Sequence, residues 1–262
     1  MSRKISILVL ASVLAGCWPF GGGKSKPVVA PALANTPRII DSLWQVGQRA
    51  FNRGRWGDAN RIFTRLSTAM PITDARLTRM HFFRGEIELA LGNELDAVRQ
   101  FRRVSDETPD DSLAPDALLR AADSYARLWR RPELDPTYGQ TAQSVYQEIG
   151  TRYPGTDAAK RADLRLQELA NQFAAKEYQS ALFYYKFKAF ESAILELRAV
   201  VAQYPRAPVV PLALEKLVQA YRSLGYVEDL KETCGYVVKF FPAPDGPRRY
   251  CPVLPADSTA AQ

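Results

Sequence analysis

Histidine is almost missing from this sequence, with His81 the only one among 262 residues. A lone imidazole rules out a two-histidine metal site, and the H-E-x-x-H pattern of zinc hydrolases does not occur. Cysteine is scarce as well. Cys17, Cys234 and Cys251 form no C-x-x-C pair, which removes the zinc-ribbon and thioredoxin-type readings. There is no G-x-S-x-G nucleophile elbow, and no segment sustains the two-residue alternation of a half-buried strand. These absences argue against an enzyme, against a bound metal or cofactor, and against a sheet-based fold. His81 sits beside Phe82-Phe83 in a helical pattern, which suits a packed or surface histidine better than a general base. Asp110-Asp111 precede a helical stretch, where an N-cap and dipole role is the expectation.

Long apolar runs are also lacking. The one at Ile5–Leu14 has ten residues, too short to span a bilayer, and follows the basic pair Arg3-Lys4. It ends in Leu14-Ala15-Gly16-Cys17, which looks like the lipobox of bacterial lipoproteins. The expectation is a signal peptide over 1–16 and acylation of Cys17, with several chains needed for stable anchoring. Trp18 follows the cysteine in place of the aspartate that retains many such proteins at the inner membrane, so the outer membrane is favoured. Residues 17–37 contain Gly21-Gly22-Gly23 and four prolines, and read as a tether. Gly23-Lys24-Ser25 imitates the end of a phosphate-binding loop, but Trp18 stands where that motif needs its first glycine and Pro27 blocks the following helix.

The body of the chain repeats itself. In Gly85–Pro109, Gly85 and Gly92 are followed by Ala97, Phe101, Val104 and Pro109, the spacing of a tetratricopeptide helix–turn–helix unit of about 34 residues. Ala97, Phe101 and Val104 make one apolar stripe, Gly85 permits close helix approach, Gly92 permits the turn, and Pro109 ends the second helix. The frame recurs five times with a residue always eight before a proline: Phe63/Pro71, Phe101/Pro109, Tyr146/Pro154, Leu197/Pro205 and Cys234/Pro242. The pattern predicts an all-α tetratricopeptide solenoid of about five helix pairs, with repeats 1–3 over 38–154, repeats 4–5 over 155–242, and a tail over 243–262. Surplus residues between Thr156 and Lys188, a stretch free of glycine and proline, predict one long helix near 157–186 joining the two groups.

The formal charge is +7, with Lys and Arg interspersed with acids along the repeats. That reads as a mixed solvated surface without a nucleic-acid partner, a basic patch for an acidic partner being the lesser reading. Cys234 and Cys251 are the two thiols left once Cys17 is acylated. In an oxidising compartment they are expected to pair, although Cys234 as a small core residue is nearly as good a reading.

Residues from about Asp135 to Pro205 resemble the BamD family of outer-membrane assembly lipoproteins. The residues that carry the likeness are Asp135-Pro136-Thr137, Ala142, Tyr146, Arg152-Tyr153-Pro154, Leu169-Ala170, Glu177, Ala181, Tyr184-Tyr185, Ala189-Phe190, Ala193-Ile194 and Tyr204-Pro205. The resemblance implies a non-catalytic role on the periplasmic face of the outer membrane. Its C-terminal repeats would hold the periplasmic domains of a BamA-like barrel-assembly subunit, beside other assembly lipoproteins, and its N-terminal repeats would meet unfolded outer-membrane proteins. Docking is then expected around Lys186, Lys188, Phe190 and Arg206, and a substrate-peptide groove around Trp44, Trp56 and Phe82. The alternative is another periplasmic tetratricopeptide lipoprotein that serves as an adaptor for cell-envelope or division proteins.

The lipobox yields a direct expectation. Mass spectrometry of protein extracted from membranes should find a mature N-terminus at Cys17 carrying lipid, and a chain that starts elsewhere contradicts it.

Overall fold

The computed structural model describes residues 37–243 and 246–252; Cys17 and the rest of the leader lie outside the described residues. Ten α-helices follow in order: α1 (Pro37–Asn52), α2 (Trp56–Ala69), α3 (Leu77–Leu91), α4 (Glu94–Glu107), α5 (Ala114–Leu128), α6 (Thr137–Arg152), α7 (Asp157–Lys186), α8 (Phe190–Gln203), α9 (Val210–Leu224) and α10 (Val227–Phe240). A 3₁₀ turn, Pro247–Tyr250, closes the tail. No strand occurs among the described residues. Consecutive helices pair antiparallel and each pair stacks on the next, which is the tetratricopeptide arrangement.

The recurring residue eight before the proline explains the packing. Phe63, Phe101, Tyr146, Leu197 and Cys234 are all buried at the centre of a second helix. In every pair the helix ends two residues before the proline, and the intervening residue's amide closes the last turn, as from Met70 to Leu66 O and from Thr108 to Val104 O. Proline has no amide to extend the ladder, so the stop is set locally. Full burial of a ring such as Phe101 contributes about 1.5–3 kcal/mol. The facing position on the first helix must then be small. A Cβ built on Gly85 would stand 2.5 Å from Phe101 Cε1, and one on Gly47 would stand 3.1 Å from Phe63.

Asp110-Asp111 depart from the N-cap expectation. Asp111 Oδ1 accepts the Leu113 amide at 2.8 Å, closing the turn before α5, whose cap position, Leu113, has no side-chain bond. His81 is buried, with Nδ1 2.9 Å from Gln100 Oε1, and burial holds its pKa below the usual histidine value.

Helix α7 is unbroken from Asp157 to Lys186, a rod about 45 Å long at 1.5 Å per residue. Thr156 caps it, its hydroxyl accepting the Ala159 amide at 3.2 Å. The first half packs through Ala158, Ala159, Ala162 and Leu169 on α5 and α6. The second half packs through Ala181 on α8 and through Ala174 on the α9 cluster. Its middle is fastened to the long α5–α6 loop: Gln172 donates to Trp129 O at 2.9 Å, and Lys176 to Leu134 O at 3.1 Å.

That loop is organised by Trp129, which is buried, packs tilted against Phe173 at 4.6 Å and donates to Leu134 O. Its ring lies against Gly139, where any Cβ would enter the ring's van der Waals envelope. At the far end, Cys234 on α10 is joined to Cys251 by a disulfide with Cα atoms 5.5 Å apart. The bond holds the tail turn against α9, where Arg249 lies 3.5 Å from Glu215 and Arg222 reaches Tyr250 O at 3.4 Å. For a 17-residue separation the chain-entropy model gives about 3 kcal/mol.

Gly139→Ala should destabilise the chain by about 1–3 kcal/mol through overpacking against Trp129. Thermal or denaturant unfolding beside Gly150→Ala, a helical glycine with open space around its Cβ position, measures it.

Candidate docking surfaces

The turns between paired helices set up the first surface. Three of them, at Gly54, Gly92 and Gly225, end the first helix with a glycine in the left-handed region, φ +67°, +80° and +72°. Each has the same two closing bonds. At the second turn, Gly92 N donates to Leu89 O at 3.2 Å and Asn93 N to Glu88 O at 2.8 Å. The α7–α8 turn has the same bonds, Lys188 N to Tyr185 O and Ala189 N to Tyr184 O, both 3.0 Å. There, however, the left-handed residue is Lys188, φ +58°, the only non-glycine with positive φ among the described residues. Backbone strain of this kind persists where the surrounding structure over-determines it, here through the two closing bonds of the turn.

The side chains around that turn face outward. Phe183 and Phe187 are 59% and 66% exposed, with rings 4.8 Å apart, and Tyr184 lies 5.7 Å from Phe183. Lys186 and Lys188 are exposed beside them. On the α7 wheel, Ala174, Tyr178, Ala181 and Tyr185 share the packed side, and Phe183 falls opposite, one or two turns from Lys176 and Phe187. A cleft of about 300 Å³ continues from Phe183 and Tyr184 to Gln179, Lys176 and Glu133. The result is an aromatic ridge with a basic rim, a composition favoured at the centre of protein interfaces.

Of the residues that the sequence marked for this end, Lys186, Lys188 and Arg206 are exposed, Arg206 in the α8–α9 connection. Phe190 is half-buried, edge-on to Tyr185 at 5.3 Å, and is mainly part of the fourth unit's core. Phe183 and Phe187 were missed. Their signal was present, since aromatic residues on the wheel face opposite the repeat stripe have no packing reason to be there.

The proposed peptide groove requires a correction. Trp44 is buried, 5.8 Å from Phe63 and 5.9 Å from Phe83, with Arg76 over its ring. It shares the inward stripe of Ile40 and Gly47, so it is core and not a groove wall. Trp56 packs edge-on to Phe51 at 5.4 Å and Phe82 edge-on to Phe101 at 5.5 Å, leaving both half-buried.

A second, polar cleft of about 330 Å³ lies where α5, α6 and α7 meet. Arg120 forms a two-pronged bond with Glu86 of α3, both contacts 2.5 Å, and burial only partly offsets the rise this bond gives the guanidinium pKa. Tyr146 donates to Asp123 at 2.7 Å, while Arg165 reaches Asp123 at 3.5 Å and Glu168 at 2.8 Å. Burial first, then the Asp123 charge, holds the Tyr146 hydroxyl protonated far above the ordinary phenol range. Every group named here except Glu168 thus links two or three helices. Arg127 lines the cleft with no carboxylate partner among the described residues. Behind it, Arg102 and Arg152 close on Glu148 at 2.8 and 2.6 Å; burial raises that carboxyl's pKa, but the two guanidiniums outweigh it and the net shift is downward.

These features define a class: a tetratricopeptide-type helical scaffold. Residues 116–235 match the family model described as outer membrane lipoprotein (YfiO). The chain is 26% identical over 238 residues to the outer membrane protein assembly factor BamD of Caulobacter vibrioides, covering 90% of this chain and 75% of that protein. It is 25% identical over 242 residues to the BamD of Vibrio cholerae, covering 88% and 95%. The resemblance to the BamD family therefore extends well beyond the stretch Asp135–Pro205 in which the sequence reveals it. Among solved structures, the TPR domain of P58(IPK) matches with TM-score 0.44 and 12% identity, over 78% of this chain and 52% of that one.

Lys188→Gly should relieve the turn and stabilise the chain by up to about 1 kcal/mol, the left-handed penalty less the extra backbone entropy of glycine. Denaturant unfolding measures this. A loss of stability would show that the Lys188 side chain contributes packing that its exposure does not reveal.

Proposed function

We propose that this chain is a non-catalytic, lipid-anchored subunit of a machinery that inserts β-barrel proteins into the outer membrane, working from its periplasmic face. It would hold the periplasmic domains of a BamA-like subunit through the fourth and fifth units, beside other assembly lipoproteins. Support comes from the two assembly-factor relatives, each aligned over nearly nine-tenths of the chain or more. The single structural observation behind the docking site is the exposed aromatic ridge at the strained Lys188 turn, within the family-matched segment.

Tethering would raise the local concentration of both partners, so modest contacts suffice. The solenoid contributes orientation: α7 fixes the distance between the ridge and the first three units. Nascent outer-membrane proteins would meet the first units, where the free edges of Trp56 and Phe82 and the polar cleft around Arg127 offer contacts for an extended chain. The Cys234–Cys251 disulfide fits an exported protein whose terminal pair needs a cover.

Phe183→Glu with Phe187→Glu tests the reading in the full chain, because both rings are exposed and their loss should leave the fold intact. Binding to the purified periplasmic domains of the barrel-forming subunit should weaken at least about thirtyfold, as expected for loss of about 2 kcal/mol or more at an interface centre. If the wild-type chain has no affinity for those domains, the adaptor reading takes over.

A further inference from the structure

The charge of this chain is unevenly placed. Residues 72–262 hold 25 basic and 26 acidic side chains and are nearly neutral. The first helix pair, residues 37–71, holds six arginines (Arg38, Arg49, Arg53, Arg55, Arg61 and Arg65) against two acids, Asp41 and Asp58. The even mixing of charges expected from the sequence thus fails at this end. Both acids are also occupied: Asp41 is 2.7 Å from Arg76 of the next pair, and Asp58 pairs with Arg55 and Arg61.

All six arginines are exposed, and Arg38, Arg49, Arg53 and Arg65 have no carboxylate partner among the described residues. Further along the chain the pattern reverses. Eight of the thirteen arginines from Arg76 to Arg165 hold a carboxylate within 4 Å. The wheel positions are equally one-sided. Ile40, Trp44, Gly47 and Ala50 take the buried side of α1, while Arg38, Gln45 and Arg49 take the opposite pole. On α2, Ala59, Phe63 and Leu66 are buried, and Arg61 and Arg65 point away from them. Arg53 and Arg55 occupy the turn between the two helices. The cations cover open helix faces, a layout suited to a plane of charge more than to one carboxylate or phosphate.

We propose that the outer face of α1–α2 is a membrane-contact surface that engages the anionic headgroups of a phospholipid bilayer. This deepens the membrane-attached reading above and rests on it. The sequence places Cys17 twenty residues before Pro37, a span of at most about 70 Å even when fully extended. A lipid on Cys17 would keep this helix pair near the bilayer, and Lys24 and Lys26 add to the same charge. Each basic side chain close to an anionic surface strengthens binding about fivefold, an effect that salt screens. Contact through this face would also fix the roll of the solenoid about its tether, and so the direction in which the ridge on α7 points.

The test uses residues 18–262, which retain all ten helices and the tail turn but cannot be acylated, so failure of the anchor reading at Cys17 leaves the outcome untouched. The chain should sediment with vesicles containing phosphatidylglycerol and not with phosphatidylcholine alone, and raising the salt should release it. Replacing Arg38, Arg49, Arg53 and Arg65 by Glu should lower the partition at least about a hundredfold. The same four changed to Gln should give an intermediate loss if the Glu form is poorly folded. Reversing Arg130, Arg131, Lys231 and Lys239 instead should cost no more than about threefold, because long-range charge is screened. Equal partition onto both vesicle types, insensitivity to salt, or unchanged binding by the arginine variants overturns the proposal. Capture by immobilised polyglutamate without any vesicle binding overturns it in favour of an acidic protein partner.

Discussion

One constraint recurs through this molecule and the rest depends on it: a buried frame residue at the centre of each second helix, seated in the first two pairs against a glycine of the partner helix. Phe63 lies on Gly47 and Phe101 on Gly85, closer than any side chain at the glycine positions would permit without displacement. The contact fixes how near the two helices come. The proline eight residues beyond this position in every unit fixes where the second helix stops. A pair built this way leaves one apolar face uncovered, and the next pair covers it. The stack is the only way these short helices bury enough surface.

The ends and the middle of the stack break the rule, and the features that look functional gather there. In the middle, α7 serves two units at once, its first half completing the core of the third and its second half supplying the first helix of the fourth. It runs past the Trp129 loop with its outer side unopposed, which leaves Phe183 and Phe187 in water. At the N-terminal end of the described residues α1 is the first helix, and its exposed pole carries Arg38 and Arg49. At the C-terminal end a disulfide and a 3₁₀ turn provide the cover that another repeat would give.

The residues that carried the family resemblance are largely explained by packing. Ala142, Ala181 and Ala193 are buried contact points, Tyr146 bridges α6 to Asp123, and Tyr204 donates to Glu177 across the α7–α8 interface. Burial and then the Glu177 charge push the Tyr204 phenol up to about 12, so the hydroxyl stays protonated and remains the donor; burial raises the Glu177 carboxyl as well. A likeness built from such residues marks a shared scaffold. The α7 ridge lies within Asp135–Pro205, but Tyr184 is the one ring of it that carries the likeness, and the arginine coat lies outside that segment.

The helix order and the length of α7 were legible in the amino-acid sequence because their causes are local. Proline stops, small-residue positions and a 3.6-residue apolar period act within one or two turns, so Asp157–Lys186 could be read as one helix from the absence of glycine and proline. The roles of individual aromatic rings were not legible from residue type. Trp44 and Phe183 are both large, both helical and both outside the simple repeat frame, yet one is core and the other exposed. Their wheel faces differ, Trp44 on the inward stripe of α1 and Phe183 opposite the packed side of α7. Only the packed structure, however, brings Phe83 of α3 against Trp44 and leaves Phe183 without a covering helix among the described residues. Lys188 shows the same division. The sequence reading ended the long helix near 186, but only the packed α7–α8 pair forced the Lys188 backbone into the left-handed region, where the closing bonds to Tyr185 and Tyr184 form.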